Sequence, residues 1–102
     1  MGEGVRVAIP KEALAEFCRR HGITRLSFFG SVLRDDFGPD SDIDALAEFE
    51  PGARVTFFTL SRIEDGLSSV LGRRVDLHVP RGLSPYLQQR VLAQAHEVYV
   101  AA

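Results

Sequence analysis

The sequence predicts one α+β domain, in which a mixed sheet of three or four strands carries helices mainly on one face. Helical stripes and short strands alternate along the 102 residues, with no linker or internal repeat between them. In two strands the apolar side chains fall on a single face, because successive side chains of a strand alternate. We therefore expect that face to pack on helices and the other to stay open, in a domain of residues 1 to 102 with a core of about 10 to 100.

Three helices of ordinary length are expected. The first begins near Pro10, a residue suited to the start of a helix, and ends at Gly22. The second ends at Gly72 and should cover the sheet face opposite the carboxylates described below. Its apolar stripe consists of Phe57, Leu60, Ile63, Leu67, Val70 and Leu71. The last has Ser84 as its cap and Pro85 as its first residue.

The strands are predicted at residues 23 to 29, 42 to 50, 74 to 79 and, as a short final strand, 98 to 100. In the second strand Asp42 and Asp44 share the face opposite the apolar residues. In the third strand Asp76 and His78 lie opposite Val75 in the same way. Asp76 should therefore join the other two carboxylates on the open face. We expect His78 to be an exposed or neighbouring group rather than a metal ligand.

The composition is that of an ordinary globular protein, with 45% hydrophobic and 25% charged residues. A formal net charge of −2 gives no reason to expect general nucleic-acid binding. The single cysteine, Cys18, excludes an intrachain disulfide and is expected to be a buried thiol. No apolar run approaches the roughly 18 residues of a membrane span, and the N-terminus lacks a signal-peptide pattern. We therefore expect a cytoplasmic protein without a membrane partner.

The carboxylates Asp42 and Asp44 are the first sign of chemistry. Side chains two residues apart on a strand lie about 6.5 to 7 Å apart at the backbone. Two like charges at this spacing repel each other unless a cation lies between them. Mg²⁺ suits the position, because it binds one or two carboxylates and leaves its other sites to water and phosphate oxygens. Three acids within apolar strands also favour metal binding over a solvated face, since Asp is disfavoured in strands.

A Gly-Ser step supplies the complementary half of such a site. Gly30 ends an apolar strand and has no side chain to obstruct a ligand near the backbone. Ser31 can cap a short helix at residues 32 to 35, whose free N–H groups favour a phosphate. Arg34 either reaches the same phosphates or pairs with neighbouring acids. Together with the carboxylates, this predicts nucleotide chemistry.

These motifs resemble the signature of the minimal nucleotidyltransferases, in the DNA polymerase beta-like superfamily. Gly30-Ser31 and Arg34 are followed by Ser41-Asp42-Ile43-Asp44 and, much later, by Asp76 in a further strand. The order, spacing and strand context carry the resemblance, which covers roughly residues 10 to 100. Leu33 and Asp35 depart from it, because the family usually has Ala and often Gly there.

The resemblance implies a single small nucleotidyltransferase domain and a role for each acid. Asp42 and Asp44 would hold two Mg²⁺ ions, and Asp76 would share one while activating an acceptor hydroxyl; Mn²⁺ in place of Mg²⁺ stays open. Gly30, Ser31 and Arg34 would bind the triphosphate. The hydroxyl would attack the α-phosphate of a nucleoside triphosphate, ATP by expectation, and pyrophosphate would leave.

The chain has little room for an acceptor-binding domain, so a partner must recognise the acceptor or be the acceptor. Stand-alone proteins that this chain resembles are commonly paired with a small helical toxin of the HEPN class. The resemblance therefore implies an antitoxin that transfers AMP from ATP to a toxin tyrosine. Two alternatives stay open: a binding module that neutralises its partner by contact alone, and transfer to a small molecule such as an aminoglycoside.

Overall fold

The structure, a computed structural model, describes residues 9–30, 38 and 41–101. Along these ranges the helices and strands are α1 (Lys11–Arg20), β1 (Ile23–Phe29), β2 (Ile43–Phe49), α2 (Phe57–Leu71), β3 (Val75–His78), α3 (Pro85–Gln94) and β4 (His96–Val100). A short 3-10 turn at Pro80–Gly82 joins β3 to α3. The short helix expected at residues 32 to 35 lies outside the described residues.

The four strands form one mixed sheet in the order β3-β2-β1-β4. Strand β1 is antiparallel to β2 and to β4, whereas β2 and β3 are parallel. A parallel pair needs a crossover connection, and α2 provides it between β2 and β3. The predicted α+β class with a mixed sheet is confirmed.

Helices α1 and α2 pack on one face of the sheet, as predicted. Their buried side chains, Leu14, Phe17, Cys18, Ile63, Leu67 and Leu71, lie in one cluster with the apolar residues of the strands. Cys18 is fully buried, as expected. By contrast, α3 contributes no buried residue. No helix in the described part of the chain is both long and apolar enough to cross a membrane.

The apolar stripe of α2 is shorter than the sequence suggested. Ile63 is buried, but Phe57 at the start of the helix is 90% exposed. Helical periodicity shows which face is apolar, but not how far the helix extends beyond the surface that it covers. Thr56 caps the start of the helix, because its hydroxyl accepts a hydrogen bond from the N–H of Thr59, and Gly72 caps the end in a left-handed conformation.

Side chains of α2 hold the edge strand β3. The N–H of Val75 donates to the hydroxyl of Ser68 at 3.0 Å, and the N–H of Leu77 donates to the carboxylate of Glu64 at 2.7 Å. Arg74 faces β2, since its carbonyl accepts a hydrogen bond from the N–H of Ile43. The backbone groups of successive strand residues point to opposite sides, so the N–H groups of Val75 and Leu77 point away from β2. The position of β3 is therefore fixed from both sides.

Candidate active site

The register of the parallel pair brings two carboxylates together. Asp44 of β2 lies beside Asp76 of β3, and the preceding partners, Ile43 and Val75, are buried on the helix side. Because side chains alternate along each strand, Asp44 and Asp76 both lie on the face away from α1 and α2. Asp76 therefore lies on the same face as Asp44, which is where the sequence predicted it.

His78 completes the group. It follows Asp76 by two residues and shares its face, and its Nε2 lies 3.5 Å from Asp76 Oδ2 and 3.8 Å from Asp44 Oδ1. One ligand atom from each of the three side chains lies within 4.8 Å of the other two. Asp44 and His78 are about one third exposed and Asp76 more than half, so the group opens to solvent on the side of Asp76.

Asp42 lies just before β2 and is exposed. The turn that leads to it is closed by Ser41, whose hydroxyl accepts from the N–H of Gly38 at 3.1 Å and whose own N–H donates to the carbonyl of Gly38. Ser41 therefore serves as the turn residue that its type suggests.

The electrostatics of the cluster raise the pKa of Asp44. Burial raises its pKa, and the charges of Asp76 and Asp42 raise it further, whereas His78 opposes the rise. The ionised carboxylate is therefore costly in the absence of a cation. A divalent ion that binds oxygen would reverse this cost, and carboxylate oxygens with an imidazole nitrogen form a donor set that fits such an ion.

Gly30 lies directly against this carboxylate. Its φ of +77° is in the left-handed region, and a Cβ added there would overlap Asp44 Oδ2 and lie 3.3 Å from Asp44 Cγ. The strand residue before it, Phe29, is the register partner of Asp44. Glycine is thus required for two reasons, backbone conformation and the approach of Asp44. Ser31 and Arg34, the other predicted nucleotide-binding residues, lie outside the described residues.

Arg73 is a positioning residue that sequence reasoning missed. Its guanidinium donates to the carbonyls of Gly38 and Ser41, the latter at 3.0 Å. It thereby ties the loop that precedes Asp42 to the start of β3. No pattern in the sequence distinguishes Arg73 from the adjacent Arg74, and only the general ability of a guanidinium to form two hydrogen bonds at once points to such a role.

Comparison with known proteins places this chain in a family. The family profile described as the nucleotidyltransferase domain matches residues 10–96. The chain therefore belongs to the nucleotidyltransferase domain family, and it is an enzyme of that class.

Individual relatives narrow the class to the minimal nucleotidyltransferases. Protein adenylyltransferase MntA of Thermococcus cleftensis is 34% identical over 85 residues, which cover 83% of this chain and 82% of the relative. A solved structure, assigned provisionally as a minimal nucleotidyltransferase, has a TM-score of 0.70 at 42% identity and covers 84% of this chain and 86% of its own.

A third match shows the same fold in a complex. A structure of tri-AMPylated Shewanella oneidensis HEPN toxin with its MNT antitoxin has a matching chain with a TM-score of 0.60 at 22% identity. The match covers 89% of this chain and 70% of that one. At this identity the likeness extends to the fold alone.

Proposed function

We propose that this nucleotidyltransferase transfers AMP from ATP to a hydroxyl of a protein partner. The observation that carries the proposal is the register of β2 and β3, which sets Asp44 beside Asp76 on the open face. The glycine bend at the end of β1 lies against the same carboxylate. The two carboxylates and the glycine bend are therefore neighbours, which supports their acting on one nucleotide.

In this proposal Asp42, Asp44 and Asp76 hold two divalent ions, either Mg²⁺ or Mn²⁺. Bound divalent ions neutralise phosphate charge and stabilise the attacking and leaving oxygens of an in-line displacement. The protein then contributes mainly position, because phosphoryl-type transfer needs little covalent help. Gly30 leaves room for the triphosphate, with Ser31 and Arg34 predicted beside it.

Asp76 suits the acceptor side of the reaction, because its side chain is 58% exposed whereas that of Asp44 is 32% exposed. The acceptor oxygen bonds to the α-phosphorus of ATP, and its proton passes to Asp76. The bond from that phosphorus to the oxygen bridging to the β-phosphate breaks, and pyrophosphate leaves with the electron pair. The products are an AMP-modified hydroxyl and pyrophosphate.

For the acceptor we propose a tyrosine of a HEPN-type toxin, with this chain as the antitoxin. The names of the relatives support a protein acceptor, and so do the adjacent side chains of Phe57 and Phe58, which are 90% and 84% exposed. Large apolar side chains that solvent surrounds favour contact with another protein. The same pair of residues also supports the alternative, a module that neutralises its partner by contact alone.

The test uses the full chain, the protein encoded by the neighbouring gene, Mg²⁺ and ATP labelled on the α-phosphate. We expect label on a partner tyrosine, located by mass spectrometry. Asp44→Asn should lower transfer by at least about 100-fold, the loss typical of a removed electrostatic group in an active site. Asp65→Asn, an exposed acid on α2, is the matched control and should leave transfer unchanged.

Other results would select the alternatives. A stable complex in which no label reaches the partner would favour neutralisation by contact. Label on an aminoglycoside in the absence of any protein partner would favour a small-molecule transferase. Wild-type transfer by Asp44→Asn would contradict the assignment of this site.

A further inference from the structure

The imidazole of His78 lies between the carboxylates that β2 and β3 bring together. Its Nε2 is 3.5 Å from one oxygen of Asp76 and 3.8 Å from one oxygen of Asp44. Both separations are longer than the 2.7 to about 3.2 Å of an ordinary N–H···O hydrogen bond. Direct hydrogen bonds therefore do not account for the convergence of these three side chains.

A bound metal ion accounts better for the convergence of the three side chains. Two ligand atoms at right angles, each about 2.1 Å from a cation, lie about 3 Å apart. The separations of 3.5 and 3.8 Å from the imidazole nitrogen would therefore have to shorten by about 0.5 and 0.8 Å for these atoms to share one coordination sphere. The side chains of Asp76 and His78 are partly exposed, so both have room to rotate toward a bound ion.

The imidazole ring is also restrained in this direction. It lies against the ring of Phe29, with centroids 5.4 Å apart and planes at 56°. Its strand position pairs with Leu46, which is 2% exposed. The contact with Phe29 restrains the orientation of the imidazole ring, because aromatic pairs prefer particular geometries.

We propose that His78 is a ligand of the metal site, together with Asp44 and Asp76, and that it makes the site favour Mn²⁺ over Mg²⁺. Mg²⁺ prefers oxygen ligands, whereas imidazole nitrogen suits first-row transition ions. An Asp-Asp-His set therefore gains more from Mn²⁺ than an all-carboxylate set does. This inference rests on the proposed function for the presence of a metal at Asp44 and Asp76.

The test needs neither nucleotide nor acceptor, so its result is independent of whether AMP transfer is observed. Mn²⁺ alone is added to the full chain, and pulsed electron paramagnetic resonance reports whether a nitrogen is coordinated directly. We expect the ¹⁴N signal in the wild type and its loss in His78→Ala and His78→Gln. His96→Ala is the matched control, because His96 is exposed on β4, and it should keep the signal.

Metal affinities give a second readout. Loss of the imidazole should weaken Mn²⁺ binding by about tenfold or more, at least as much as the loss of a residue that only orients a ligand. Mg²⁺ binding should change much less, and Asp44→Asn should weaken both ions. The inference is overturned by bound Mn²⁺ without a coordinated nitrogen, by equal losses for the two ions in both His78 variants, or by no Mn²⁺ binding at millimolar concentration.

Discussion

Replacing Gly30 with alanine should separate the role of this glycine in the backbone from its role at the site. Alanine in the left-handed region costs about 1 to 2 kcal/mol, less the roughly 0.4 to 1 kcal/mol gained from a stiffer unfolded chain. The free energy of unfolding should thus fall by about 1 kcal/mol. The added Cβ also overlaps the Asp44 carboxylate, which must retreat by about 1 Å to reach ordinary contact distance.

A displacement of this size in an active site costs about 100-fold in rate, or about 2.7 kcal/mol of transition-state stabilisation. Gly52→Ala is the matched control, because Gly52 has a φ of +85° and no heavy atom lies within 4 Å of an added Cβ. Urea titration should show similar stability losses for the two variants. Labelled-ATP transfer and Mg²⁺ titration should be impaired in Gly30→Ala alone, and wild-type values there would refute the reasoning.

Three further predictions concern charge and packing. Asp44 has a raised pKa in the folded state, so its contribution to stability is present below the ordinary value of 3.8 and is lost as the pH rises through the raised pKa. Metal-free Asp44→Asn should therefore resist urea better than the wild type at neutral pH, with the advantage fading in acid; an equal or lower midpoint at neutral pH would contradict this. Burial raises the pKa of Cys18 to about 12, so native protein should react with iodoacetamide only as fast as it unfolds, and stability should fall as the pH rises above 9.0. Fast labelling of folded protein would count against a buried thiol. Gly66→Ala gains about 1 kcal/mol of helix propensity but places a Cβ 2.8 Å from Phe17 Cζ, and overpacking costs about 1 to 3 kcal/mol. Its urea midpoint should therefore fall, and a rise would show that Phe17 moves aside freely.

The parts of the fold that local patterns encode could be predicted from the sequence. The first strand was predicted at residues 23 to 29 and is observed as Ile23–Phe29, because an apolar run ends at a glycine there. The final strand was predicted at 98 to 100 but begins at His96. Its first two residues, His96 and Glu97, are polar and pair with β1 through their backbone. A prediction based on the pattern of apolar side chains therefore does not include them.

The site was predicted only in part, for a related reason. Alternation within a strand places Asp44 and Asp76 on a face, and the family resemblance supplies the expectation that the strands are neighbours. The link from Arg73 to Gly38 spans 35 residues, and no periodicity encodes a contact of that length. The position of the His78 ring likewise depends on Phe29, a residue of another strand.

The hydrogen bonds from Val75 and Leu77 to side chains of α2 limit how another chain can add to the edge of the sheet. An edge strand ordinarily offers its outward N–H groups as a template for a strand from another chain. Ser68 and Glu64 already accept both of these groups on β3. On the proposed function, a protein acceptor would therefore not dock as an added strand beside β3, and its target hydroxyl would reach Asp76 from the open face. Such an acceptor would be recognised through the surface of a folded domain rather than as an extended strand.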